Sequence, residues 1–110
     1  MKLTDIINEL NFKVLSGNPA EKEAEGVYAC DLLSHCMSKV SENDIWITVQ
    51  NNINVAAVCH LADAAAILLP EGISPDKDLL EKAVKEEIVI LQSEKTTYEL
   101  CSLLSTKKEK

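Results

Sequence analysis

The sequence predicts a single α/β domain with a mostly parallel sheet flanked by helices. Three observations carry that reading. From residue 45 onward, short apolar runs alternate with segments of helical periodicity, which is the pattern of parallel strands joined by right-handed crossovers. The stretch Ser74-Pro75-Asp76 to Leu91 forms one complete unit of turn, amphipathic helix and apolar strand, with a capped helix at Thr96-Thr97. Ile45-Trp46-Ile47-Thr48-Val49 is the most strongly β-forming run, nearly continuous in apolar character, as expected for a central strand covered on both faces.

Taken in order, Thr4 offers an N-cap hydroxyl to a short helix through Asp5, Ile6, Ile7 and Leu10, closed by Asn11. Phe12-Lys13-Val14-Leu15 alternates as a strand. Ser16-Gly17-Asn18-Pro19 has the composition of a turn. Glu25 to Cys30 reads as a strand ending at Asp31, and 32–40 as a short helix or helical turn, with Leu32, Leu33, Cys36, Met37 and Val40 at helical spacing. After the 45–49 strand, Asn51 or Asn52 caps a helix from about Ile53 to Ala64. Ala66-Ile67-Leu68-Leu69 is a strand stopped by Pro70 and Gly72. Ser74 or Asp76 then caps a helix to Glu87, with Leu79, Leu80, Ala83 and Val84 on one face. Ile88 to Leu91 is the next strand, and Thr96 or Thr97 caps a last helix that buries Leu100, Cys101 and Leu104.

The chain has 110 residues and a formal net charge of −7. One domain is expected over residues 1–105, with 106–110 as a basic tail. All the basic residues are lysines, scattered and outnumbered by acids. That disfavours nucleic acid, whose binding rests on clustered cations, and removes the bidentate arginine clamp for phosphate or carboxylate. No apolar run approaches the roughly 20 residues that span a bilayer, so no membrane partner is expected. An acid and an asparagine interrupt the N-terminal apolar stretch, against a signal peptide. The composition fits a cytoplasmic protein.

Cys30, Cys36, Cys59 and Cys101 form no C-x-x-C pair, and each lies among apolar or small neighbours. They are expected as thiols used as small hydrophobes. His35-Cys36 and Cys59-His60 match no zinc spacing, so no metal is expected. No phosphate-binding or dinucleotide glycine motif and no nucleophile elbow is present, so neither a cofactor nor a catalytic residue is assigned.

In open parallel sheets ligands bind beyond the carboxyl ends of the strands. The segments leaving strands there supply Asp31, Ser34, Gln50, Asn51, Asn52, Asn54, Ser93, Thr96 and Thr97. This amide- and hydroxyl-rich set suits a small polar or nucleotide-like ligand, aided by helix N-terminal amides. N-capping alone accounts for Asn52 and Thr96. Asn51 and Asn54 exceed what one cap requires. Asn51, Asn52 and Thr96 are expected to converge on one crevice.

A family resemblance rests on these same segments. Ser74-Pro75-Asp76, Leu79-Leu80-Glu81-Lys82-Ala83, Glu87 to Leu91, and Thr96-Thr97-Tyr98-Glu99-Leu100 resemble the end of a DRTGG domain. They are also similar to the corresponding part of the N-terminal domain of HPr kinase/phosphorylase. Gly26 to Ser34 resembles a segment of stand-alone DRTGG proteins of anaerobic bacteria. Asn43-Asp44-Ile45-Trp46-Ile47-Thr48 resembles, more distantly, a strand entry of the uridine-nucleotide-binding domain of Mur ligases. The D-R-T-G-G string itself is absent, Asn43 stands where glycine is usual, and the kinase's phosphate-binding loop is missing. The resemblance implies an α/β fold like that kinase domain, self-association as a homodimer or higher homo-oligomer, and a non-catalytic regulatory role. In multidomain relatives the module accompanies kinase, phosphate acetyltransferase or CBS domains. Three readings follow: a cytosolic ligand-sensing or protein-interaction module; a small metal- or thiol-dependent redox protein linked to hydrogenase systems, using Cys59-His60 or His35-Cys36; or an assembly factor without a ligand.

Overall fold

The computed structural model describes residues 1–108. Its elements, in chain order, are α1 (Leu3–Leu10), β1 (Lys13–Ser16), β2 (Gly26–Ala29), α2 (Leu33–Lys39), β3 (Asp44–Ile47), α3 (Asn54–Ala62), β4 (Ala66–Leu69), α4 (Lys77–Glu86), β5 (Ile90–Gln92) and α5 (Thr97–Lys108). Among the described residues they build a five-stranded sheet in the order β1-β5-β4-β3-β2. β2, β3, β4 and β5 are mutually parallel, while β1 runs antiparallel to β5 at the edge.

The period-2 alternation of each inner strand feeds two separate cores. Trp46, Ile67, Leu69 and Ile90 point to one face and pack with Cys36, Val55, Ala56, Cys59, Leu79 and Ala83 from α2, α3 and α4. Ile45, Ile47, Ala66, Leu68 and Leu91 point to the other and pack with Leu3, Ile6 and Ile7 of α1 and Leu100 and Leu104 of α5. The α/β class expected from the sequence, a mostly parallel sheet with flanking helices, is therefore present. β4 is fully buried at the centre, and β3 is its inner neighbour.

Several local readings are corrected. Lys2, not Thr4, precedes α1 at its N-cap. Residues on either side of Lys2 pair with residues 22–24 through Leu3 N–H to Lys22 O and Ala24 N–H to Met1 O, so that pairing sets where the helix starts. Phe12 lies before β1 but is buried. Leu32 and Met37 face solvent at 69% and 54% exposure. A helix as short as α2 offers one narrow stripe to the sheet, and Cys36 occupies it. Val84 is likewise exposed, because Leu79 and Ala83 at i, i+4 spacing take the seam of α4. α5 continues to Lys108, past the boundary expected at Ser105. The rest of the expected tail, 109–110, lies outside the described residues.

The cysteines differ most from expectation. Cys59 is a buried free thiol, but Cys30 and Cys36 are joined in a disulfide with their Cα atoms 6.0 Å apart. The link closes the connection from the end of β2 to α2. Spacing alone could not show it, since the pair is brought together by the turn of the chain at Asp31–Leu32. Asn43, where the resembled family favours glycine, has φ 66°. Asparagine tolerates that left-handed conformation better than most residues, so the position keeps its geometry.

Candidate functional site at the carboxyl ends of the strands

Helices α2, α3 and α4 leave β2, β3 and β4 toward one face, whereas α5 leaves β5 toward the other. Adjacent strand ends that lead to opposite faces define the crevice where open α/β sheets bind ligands. Here that point lies between β4 and β5. The loop 70–76 crosses it. Glu71 N–H donates to Lys95 O (2.9 Å) and Gly72 N–H to Ser93 O (2.8 Å). Gln92 Nε2 donates to Gly72 O (3.3 Å) and Ile73 O (3.0 Å).

The predicted residues divide into two groups on either side of this loop. The first is a continuous network at the end of β3. Asp31 Oδ1 accepts from Thr48 Oγ1 (3.0 Å) and from Val49 N–H (2.9 Å). Thr48 Oγ1 in turn accepts from Gln50 N–H (3.1 Å). Gln50 Nε2 donates to Asp31 O (2.9 Å), and Gln50 Oε1 accepts from Asn52 Nδ2 (3.2 Å). Asn52 Oδ1 accepts from Asn54 N–H (2.9 Å), a local turn bond leading into α3, whose N-cap is Ile53 and carries no side-chain cap bond. Asn51 Nδ2 donates to Ser74 O (2.8 Å), and Asp76 N–H donates to Asn51 O (2.9 Å). Asn51 is therefore a brace between two loops, not a spare amide.

The second group is a capping box at α5. Thr96 N–H donates to Glu99 Oε1 (2.9 Å), and Glu99 N–H donates to Thr96 Oγ1 (3.1 Å). The two Thr96 bonds, backbone first and side chain second, hold the Glu99 carboxyl below its ordinary range. Ser93 is buried, and its Oγ accepts from Lys95 N–H (3.1 Å). Among the described residues no hydrogen bond connects Asn51 or Asn52 to Thr96; the 70–76 loop touches both groups, through Asn51 Nδ2 to Ser74 O and Glu71 N–H to Lys95 O.

Among the described residues, the side chains of Ser34, Asn54 and Thr97 have no internal partner, and Ser34 and Asn54 are exposed. These are the polar groups of the predicted set that the fold itself does not consume. Sequence reasoning missed Thr48 and Gln92 as organisers. The available signal was a polar residue closing an otherwise apolar strand run, after Ile47 and after Leu91.

The two Cys-His dipeptides do not assemble a metal centre. Among the described residues no group of three or more His, Cys, Asp or Glu side chains is placed to hold an ion. Cys36 is in the disulfide. Burial pushes the Cys59 thiol up to about 12, only partly opposed by Lys22 and reinforced by Asp63, so it stays protonated and is a poor ligand. His35 Nε2 instead lies 3.2 Å from the Tyr28 hydroxyl. Trp46 is fully buried, and its Nε1 donates to Cys30 O (3.0 Å). No described helix is long and apolar enough to cross a membrane.

Comparison with known proteins gives a consistent result. No curated protein matches the chain. Among solved structures it is similar to the CBS and DRTGG domains of the regulatory region of Clostridium perfringens pyrophosphatase, a complex with the activator diadenosine tetraphosphate. The TM-score is 0.66 at 17% identity, over 89% of this chain and 43% of that one. The chain thus spans less than half the length of that structure, and at this identity the likeness establishes the fold. The model of the DRTGG domain matches residues 5–106. Nearly the whole sequence is covered, and the chain belongs to the DRTGG domain family.

Proposed function

We propose that this chain is a non-catalytic regulatory module that senses a small polar, nucleotide-like ligand at the carboxyl ends of its strands. Family membership and a structural neighbour described as a regulatory region bound to a dinucleotide activator support the regulatory class. The observation that carries the site is the hydrogen-bonded network of Asp31, Thr48, Gln50 and Asn52, with Ser34 and Asn54 close to it in sequence, exposed and with polar side-chain groups to spare. A ligand held there meets hydrogen-bonding groups without an arginine, a pattern suited to ribose and base edges. Catalysis is not supported: among the described residues no serine, threonine or cysteine side chain is hydrogen-bonded to an imidazole, and the Tyr28–His35 pair is exposed. The acidic, arginine-free composition suits a cytoplasmic setting. The homodimer that the family resemblance implies is part of this reading.

Thermal unfolding in the presence of diadenosine tetraphosphate and a panel of mono-, di- and triphosphate nucleotides tests the reading. A ligand at 100 times its Kd adds about 2.7 kcal/mol. Ser34→Ala and Asn54→Ala should remove that shift while leaving the unliganded protein within about 0.5 kcal/mol of wild type. No shift across the panel, or a shift that both substitutions leave intact, would reject the site.

A further inference from the structure

We propose that Cys30 and Cys36 form a redox-exchange site, which takes electrons from a dithiol partner and returns them to a disulfide one. The two residues are placed for this by different elements. Cys30 follows β2 and is fixed by backbone contacts that do not depend on the bridge: its N–H donates to Ile47 O (3.2 Å), and its carbonyl accepts from Trp46 Nε1 (3.0 Å). Cys36 belongs to α2 and is fully buried in the core beneath that helix. With Cα atoms 6.0 Å apart the pair lies within the span a disulfide needs, so the reduced form keeps two thiols held opposite each other. Cys59 and Cys101 are free thiols. Cys59 is buried and held protonated, which leaves Cys30–Cys36 as the bridged pair that can exchange.

The difference in exposure fixes the order of steps. Cys30 is partly exposed, whereas Cys36 is not. A partner thiolate attacks Cys30 Sγ; a partner–Cys30 bond forms as the Cys30–Cys36 bond breaks, and Cys36 leaves as a thiolate that takes up a proton. The second thiolate of the same partner then attacks its own sulfur in the mixed disulfide and releases Cys30, which is protonated in turn. Two electrons and two protons pass to the protein, and the partner dithiol becomes a disulfide. The reverse sequence restores the bridge.

The structural consequence falls on α2. It has seven residues, and Cys36 is its buried anchor; helices this short depend on tertiary ties. Opening the bridge leaves β2 and the Trp46 contact in place but removes the covalent tie to α2.

The experiment uses the full chain equilibrated across dithiothreitol and glutathione redox buffers, quenched with an alkylating agent and read by mass spectrometry. The expected result is a reversible transition of the 30–36 peptide between bridged and doubly alkylated forms, with Cys59 unmodified and the fold retained. Backbone amide exchange in α2 should rise at least tenfold on reduction, while that of β4 stays unchanged. Cys36→Ser treated with glutathione disulfide should accumulate the mixed disulfide at Cys30, whereas Cys30→Ser should leave Cys36 unmodified. Two free thiols at every oxidising poise, or a bridge that opens only when the protein unfolds, would overturn the proposal; that wild-type measurement decides even where a serine variant fails to fold.

Discussion

Replacing Asp31 with alanine removes a single carboxylate oxygen on which two donors converge. The two losses are unequal. Val49 is exposed, so its amide can be rehydrated at little cost. Thr48 is 1% exposed, and its hydroxyl already accepts from Gln50 N–H, so without Asp31 its proton has no acceptor. Leaving a buried donor unmet costs about 1–3 kcal/mol. The bond from Gln50 Nε2 is accepted by the Asp31 backbone carbonyl, so it survives. We therefore expect a loss of about 2 kcal/mol. At roughly 2.1 cal/mol/K of unfolding entropy per residue, 110 residues give about 230 cal/mol/K, and the midpoint falls by about 9 °C. Asp31→Asn retains an oxygen acceptor and should lose less than half as much. The assay is reversible thermal and urea unfolding followed by circular dichroism, with Thr48→Val as the second edge of a double-mutant cycle. In the Thr48→Val background the Asp31→Ala penalty should nearly vanish. The reasoning fails if Asp31→Ala unfolds within about 0.5 kcal/mol of wild type, or if its penalty is the same with and without the Thr48 hydroxyl.

Gly17 has φ +77°, and a Cβ there would lie 2.7 Å from Ile88 O and 2.8 Å from Val89 Cα. Since backbone on both sides must shift, Gly17→Ala should cost about 2–4 kcal/mol, the sum of left-handed strain and overpacking; a urea midpoint equal to wild type would contradict this. Thr96→Ala should lower stability by about 1 kcal/mol through loss of the α5 cap. Because Thr96 holds the Glu99 carboxyl below its ordinary 4.5, the stabilisation from that carboxylate is complete above that value and is lost as pH falls through the depressed range. Comparison of wild type with Glu99→Gln in acid and at neutrality measures it, and an unchanged gap would refute it. Native Cys59 should resist iodoacetamide at pH 8 while Cys101 reacts. Its thiol is raised from an ordinary 9.0 to about 12, so the folded state binds the proton more tightly; stability should be flat below about 9 and decline toward 12, with a shallower decline in Cys59→Ala.

Strand and helix types were legible in the sequence wherever the local signal is strong. The continuous apolar runs Ile45 to Ile47 and Ala66 to Leu69, buried throughout, show this, as does the Asp76 cap, whose Oδ1 accepts from Leu79 N–H at 3.0 Å. What escaped was tertiary. Nothing local distinguishes Leu32, which precedes α2 and faces solvent, from Leu33, which opens the helix and packs against the core. Nor does anything announce that residues 1–3 pair with 22–24 and thereby start α1. The polar residues proposed for the site lie in the segments that follow β2, β3 and β5. Their division into two groups was hidden, because it depends on where the 70–76 loop crosses. Asn51 illustrates the limit. Its type suggests a ligand contact, while its partner Ser74 is distant in sequence and makes it a brace.

The position of β1 sets the order in which the chain can become a domain. β2, β3, β4 and β5 are laid down side by side in the sequence in which they are made, each able to dock as soon as its crossover helix exists. β1 is made before all of them, yet its neighbour is β5, in a register that sets Lys13 against Gln92. A nascent chain therefore carries β1 without its partner until β5 has been synthesised, whereas the apolar side of α1 meets Ile45, Ile47 and Leu68 of β3 and β4 earlier. Closing so long a loop late slows folding. It also means that no N-terminal fragment ending before β5 can give β1 its native partner.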